Sequence, residues 1–163
     1  MSIFPTTILL ATDGSEEAML AARTAVDLAQ KTGSELQVVH ARPLPALAGY
    51  PASPTPTATE IDEEQAKKRF RGLLDEQVGK VEAEGGSVAQ AHLRIGRTDT
   101  EIVRLAEEVG AGLIVMGSRG LGGVRRALMG SVSDSVVRHA HCPVLVVREE
   151  DQEASNPAEV GLV

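Results

Sequence analysis

Tryptophan is absent from this 163-residue chain, and two Phe and one Tyr are its only other large aromatics. Readers of single-stranded nucleic acid stack bases on aromatic platforms, so that class of function is disfavoured. Cysteine is almost missing as well. Cys142 stands alone and cannot close an internal disulfide, which suits a reducing compartment and a cytoplasmic location. No apolar run approaches the ~20 residues that span a bilayer, and no basic segment precedes an apolar one at the N-terminus, so no membrane association is expected. Positive charge is also in short supply: 16 Lys and Arg against 23 Asp and Glu leave a net charge of −7. That balance argues against generic binding to nucleic acid or membrane surfaces. Lysine does not occur at all after Lys80. A P-loop lysine on a β/γ-phosphate is thereby excluded from the second half, and no Gly-x4-Gly-Lys-[Ser/Thr] motif occurs.

What is present reads as one domain. A chain of this length buries about two-thirds of its unfolded surface and needs no disulfide or structural metal. Its negative charge is unevenly placed. Residues 149–163 hold five acids and no base, leaving 16 basic and 18 acidic residues before them. Residues 1–148 are therefore expected to form a nearly neutral domain, and 149–163 a disordered acidic tail.

Short, almost continuous apolar runs from Thr7 to Asp13 and from Leu36 to Ala41 predict strands buried on both faces, as in parallel sheets, and Leu113 to Met116 and Pro143 to Arg148 predict a fourth and a fifth strand. Val88 to Ile95 alternates, which predicts a strand near a sheet edge. Helical spacing predicts helices from Glu17 to Lys31, Glu60 to about Glu84, Thr98 to Val109 and Val132 to Ala140. Asp13-Gly14-Ser15-Glu16 reads as a capping box with Asp13 or Ser15 as cap, and Thr98-Asp99-Thr100-Glu101 as a second one. Gly33, Gly85 with Gly86, and Gly110 supply stops. Residues 42–59 hold five of the eight prolines and predict a long loop, a lid or a disordered segment. The strict β-α alternation implies an α/β fold: a doubly wound parallel sheet with helices on both faces.

In such folds ligands bind beyond the carboxyl ends of the strands. Two of those ends stand out here. The first strand ends in Asp13. The fourth enters Gly117-Ser118-Arg119-Gly120-Leu121-Gly122-Gly123, and Gly130-Ser131-Val132-Ser133 then opens a helix. Glycines admit close backbone approach, and a helix N-terminus offers free N–H groups and partial positive charge to a phosphate. From Gly117 to Arg148 there are five arginines (119, 125, 126, 138, 148) and one acid, Asp134, an excess that favours an anionic ligand. A tight turn with a Ser131 cap would account for the glycines alone. Glycines, a serine-opened helix and arginines together favour a ligand site. Asp13 fits either a cap or a ligand contact, and Arg125 and Arg126 fit either phosphate contact or solvation. His40 is expected to pack or hydrogen-bond beside the pocket, His139 and His141 to be exposed, and Cys142 to pack as a small side chain.

The spacing Gly117-x2-Gly120-x9-Gly130-Ser131, with Val115-Met116 before it and Cys142-Pro143-Val144-Leu145-Val146-Val147 after it, resembles the ATP-binding pattern of the universal stress protein family. Thr12-Asp13-Gly14-Ser15 is similar to that family's end of the first strand, and the likeness covers residues 1–148. It departs at His141, where the family often has Pro. The resemblance implies five parallel strands in order 3-2-1-4-5, with Asp13 near a ribose and near a magnesium-bound phosphate. It further implies Ala41 against adenine through its backbone, Met116 and Gly117 flanking the nucleotide, Arg119 and Gly120 shaping the phosphate turn, and Gly130, Ser131, Val132 and Ser133 holding the phosphates. It also implies a homodimer through the edge strand Val144 to Val147. The function expected is an ATP-binding stress-response regulator that binds rather than turns over its ligand, since no second carboxylate is placed to activate water. The alternatives are a dimeric interaction module that binds no nucleotide, and a slow ATPase.

Overall fold

The computed structural model describes residues 2–43, 56–119 and 129–149. The elements run β1 (Thr7–Ala11), α1 (Glu16–Thr32), β2 (Glu35–Arg42), α2 (Pro56–Ala83), β3 (Val88–Ile95), α3 (Thr98–Glu108), β4 (Ala111–Gly117), α4 (Ser131–His139) and β5 (Val144–Val147). All five strands are parallel, in the order β3-β2-β1-β4-β5. Parallel neighbours force each connection to cross over the sheet, and the helices occupy those crossovers.

β1, β2 and β4 are buried on both faces, whereas the edge strand β5 leaves Leu145 exposed. Ile8 and Leu10 join Val38, Leu113 and Val115 beneath α1 and α2, where Ala21, Ala25, Leu74 and Val81 cover them. Leu9 and Ala11 face the other way and join Val39, Ile114 and Met116 beneath Ile102, Leu105 and Val136 of α3 and α4. Each fully buried Leu or Ile of this kind contributes about 1.5–3 kcal/mol. The alanine-rich face of α1 lets that helix sit close to the sheet.

Local details depart from the sequence reading. The α1 cap is Ser15, whose hydroxyl accepts the Ala18 N–H at 3.2 Å; the position three residues on is Ala18, so no capping box forms. The α3 cap is Arg97, without a side-chain cap bond, and Thr98 is already helical; its hydroxyl donates instead to the Ala41 carbonyl at 3.3 Å. Helix α2 begins four residues earlier than expected, within the proline-rich stretch, because proline is tolerated in a first helical turn. β3 is an edge strand, but Ala89 and Ala91 are exposed. A register shift opposite Leu36/Gln37 skips Ala89 and breaks the alternation there. Most of the predicted 42–59 loop and, from residue 150 on, the acidic tail lie outside the described residues. Among the described residues, no helix is long and apolar enough to cross a membrane.

Candidate functional site

The sheet order sets β1 between β2 and β4, so the carboxyl ends of three strands meet at one place. There the chain carries Thr12-Asp13, Ala41-Arg42 and Gly117-Ser118-Arg119, and the first turn of α4 closes the side. These segments line a cleft of about 290 Å³, near the lower end of the range for small-molecule sites. Asp13, Ala41, Met116, Gly117, Arg119, Gly130, Ser131, Val132 and Ser133 all lie in its wall, together with Thr12, Ser15, Arg42, Thr98, Ile102 and Ser118. Gly120, Arg125 and Arg126 lie outside the described residues.

The Asp13 turn is held locally. Its Oδ1 accepts the Ser15 N–H at 2.9 Å, so Asp13 fixes the turn before the helix while Ser15 caps it. Beneath the turn, His40 is 1% exposed and its Nδ1 lies 2.9 Å from the Thr12 carbonyl oxygen. A carbonyl only accepts, so Nδ1 carries the proton, and Nε2 is buried without a hydrogen-bond partner. Burial pulls the His40 pKa below its ordinary value and the Arg42 charge adds to this; the Thr12 bond and Asp13 oppose it. Phe70 and the His40 ring form a T-shaped pair, at 6.2 Å between centroids.

Across the cleft, the segment between β4 and α4 is pinned at both ends. The Ser118 carbonyl accepts the Gly130 N–H and the Ser133 hydroxyl, each at 2.6 Å. Ser133 is 2% exposed, and its proton is committed to the protein. Here the hydroxyl acts as a staple within the protein, and the Ser133 backbone N–H stands at the helix end beside the cleft. Gly130, not Ser131, occupies the α4 cap position, and Ser131 is exposed at the first helical residue. A Cβ at Gly130 would stand 3.2 Å from the Ser118 oxygen, so glycine is what permits this approach.

One residue at the site escaped the sequence reading. Glu17 of α1 is 6% exposed. Its carboxylate accepts the Ser118 hydroxyl at 2.6 Å, the Arg119 N–H at 2.7 Å, and the Arg119 guanidinium through Nη2 at 2.9 Å and Nε at 3.2 Å. Burial pulls the Glu17 pKa up, but the bonds from Ser118 and Arg119 and the Arg119 charge reverse this and leave it below the usual carboxylate range. The signal was there: Glu17 lies four and eight residues before Ala21 and Ala25, on the stripe that α1 buries. The arginine excess read from Gly117 onward is correspondingly smaller in space. Arg119 is balanced by Glu17, and Arg138 pairs with Asp134 at 3.0 Å.

The remaining candidates are structural. His139 and His141 are exposed; the His139 Nδ1 lies 2.8 Å from the Ser135 carbonyl and the His141 Nε2 2.8 Å from Glu107. Cys142 is half-buried against the α3/α4 core, and burial pushes its thiol pKa up. Among the described residues no group of three or more His, Cys, Asp or Glu is placed to hold a metal ion.

Comparison with known proteins agrees with this architecture. The chain is 42% identical over 148 residues to a universal stress protein of Thermus aquaticus, covering 87% of this chain and 98% of that one. It is 34% identical over 146 residues to universal stress protein MJ0531 of Methanocaldococcus jannaschii, covering 90% and 84%. Among solved structures, hypothetical protein MJ0577 superposes with a TM-score of 0.73 at 25% identity, covering 91% and 99%. A universal stress protein in complex with cAMP gives 0.61 at 26% identity, covering 89% and 98%. One from Archaeoglobus fulgidus in complex with dAMP gives 0.57 at 26%, covering 90% and 99%. The universal stress protein family model matches residues 5–148, and with the strand order and cleft described above, the chain belongs to the universal stress protein family.

Proposed function

We propose that this chain is a cytoplasmic stress-response regulator that binds an adenine nucleotide, ATP in the first place, in the cleft between Asp13 and Gly130, and does not turn it over at a useful rate. The observation that carries this reading is convergence. Nine residues chosen from four separate stretches of sequence line one cleft at the carboxyl edge of a parallel sheet, beside a helix N-terminus. The cAMP and dAMP complexes of two neighbours support the adenylate class.

In this reading the Ala41 backbone meets the base, Met116 flanks the nucleotide, and Asp13 accepts from the ribose. Gly117 flanks the nucleotide, and the N–H groups at the start of α4, with the exposed Ser131 hydroxyl, receive the phosphates. Mg²⁺ commonly takes one or two carboxylates with nucleotide phosphates. Asp13 is the one carboxylate among the described cleft residues, enough to share an ion carried in by the nucleotide but not to fix one alone. With no lysine in the second half of the chain, no further carboxylate among the described cleft residues, and the nearby Glu17 carboxylate taken up by Ser118 and Arg119, binding is the chemistry these residues support. We extend the proposal to a homodimer joined through β5, whose apolar Val144 to Val147 lies at the sheet edge.

Native mass spectrometry of the purified full chain with added ATP tests the reading. The expected spectrum carries the mass of one nucleotide per protomer, and Gly130→Val with Ser131→Ala, folded by circular dichroism, loses it. Undiminished binding in that double variant overturns the site. No binding by the wild-type chain at millimolar ATP favours the interaction module instead, and ATP turnover abolished by Asp13→Ala would make the protein a slow ATPase.

A further inference from the structure

We propose that Glu17 is a specificity-determining residue of the cleft: its carboxylate fills the anion position formed by the Ser118 hydroxyl and the Arg119 N–H and guanidinium, and so withholds Arg119 from the ligand. The inference rests on the nucleotide reading above and adds to it which group reads the phosphates.

The donor set around Glu17 is what a phosphate group would ask for: one hydroxyl, one backbone N–H and a guanidinium presenting two nitrogens. All of it lies at the carboxyl end of β4, where Ser118 and Arg119 line the cleft. Glu17 itself does not line the cleft and approaches from behind. Its approach depends on Gly117, where a Cβ would meet the Glu17 Cβ at 3.0 Å and the Glu17 carbonyl carbon at 3.1 Å. The chain thus supplies an internal anion at a site otherwise suited to an external one. A guanidinium paired with a buried carboxylate projects little net charge into the cleft, so phosphate recognition falls to the α4 N-terminus opposite.

Removing the Glu17 charge while keeping its shape reverses this. In Glu17→Gln the cleft wall beside Arg119 carries one positive charge more than in wild type, and a ligand gains from each added phosphate charge. Isothermal titration of the full chain with ATP and with AMP, at low and physiological salt, tests the proposal in wild type, Glu17→Gln, Arg119→Gln and the double variant. Glu17→Gln is expected to raise the preference for ATP over AMP about fivefold, with a steeper loss of ATP affinity as salt rises. The double variant is neutral at this position and is expected to return the ratio to the wild-type value. A folded Glu17→Gln with the wild-type ratio overturns the proposal, as does a double variant that keeps the raised ratio. Where Glu17→Gln does not fold, Arg119→Gln against the double variant decides: the uncompensated carboxylate lowers the ATP preference about fivefold, and equal ratios overturn the proposal. A wild type that binds neither nucleotide overturns the nucleotide reading and this inference together. Wild-type binding with an unmoved ratio removes this inference alone.

Discussion

The Ser133 hydroxyl donates to the Ser118 carbonyl oxygen across 2.6 Å, joining residues fifteen apart in sequence at the foot of the glycine-rich segment. With the Gly130 N–H on the same oxygen, that carbonyl has both of its acceptor positions in use. The end of β4 is thereby tied to the first turn of α4.

Ser133→Ala removes one of the two donors and leaves the carbonyl satisfied by Gly130. The expected cost is about 1 kcal/mol of folding stability, read as a lowered urea midpoint at unchanged slope. If the hydroxyl were turned to the ligand instead, stability would hold and only nucleotide affinity would fall.

Gly117→Ala adds a methyl where the nearest neighbours are the Glu17 Cβ at 3.0 Å, the Glu17 carbonyl carbon at 3.1 Å and the Ala18 N at 3.2 Å. Two of these are backbone atoms of α1 and cannot rotate aside. The variant is expected to lose about 1–3 kcal/mol and to push α1 from the end of β4, weakening nucleotide binding as well. Denaturant unfolding with a parallel titration checks both, and wild-type stability would refute the close packing.

Acidification is expected to destabilise the protein through His40. Its folded-state pKa lies below the usual 6.5, with burial as the main cause. As pH falls below about 6.5 the unfolded chain takes up the proton first, so stability declines until the native histidine also titrates. His92, lowered by burial and by the Arg94 charge, adds in the same direction. Urea unfolding at about pH 7.5 and 5.5 should therefore show a smaller pH slope in His40→Gln than in wild type, by up to ~1.4 kcal/mol per pH unit. Equal slopes would contradict the burial argument.

The β5 edge carries the fourth prediction. Leu145 of β5 is a large apolar side chain that is 36% exposed. Leu145→Glu places a charge where the proposed dimer would bury an apolar surface. Sedimentation velocity is expected to show a dimer for wild type and a monomer for the variant. A variant that remains dimeric would place the interface elsewhere.

The two-sided burial of β1 and β4 was legible because an apolar run of four or five residues has no polar face to give to water; β2 carries Gln37 and His40 within its run, and both are buried as well. The stop at Gly33 was legible too, since its φ of 66° favours glycine. The caps were less so: hydroxyls at Thr98 and Ser133 suit several acceptors, and the local pattern does not say which will be near. Thr98 went to Ala41, and Ser133 to Ser118.

By itself the amino-acid sequence determined the alternation of strand and helix, the stripes each helix buries, and the placing of glycines where the chain must come close to something else. These are properties of neighbouring residues, set by backbone geometry and by the free energy of apolar burial. Only the tertiary structure decided that Glu17 would meet Ser118 and Arg119, 101 and 102 residues further along. That meeting exists because β4 pairs beside β1 and brings its carboxyl end under the first turn of α1. A carboxylate's partner is chosen by the sheet order, which sums the packing of every element, and no local stretch of the chain contains it.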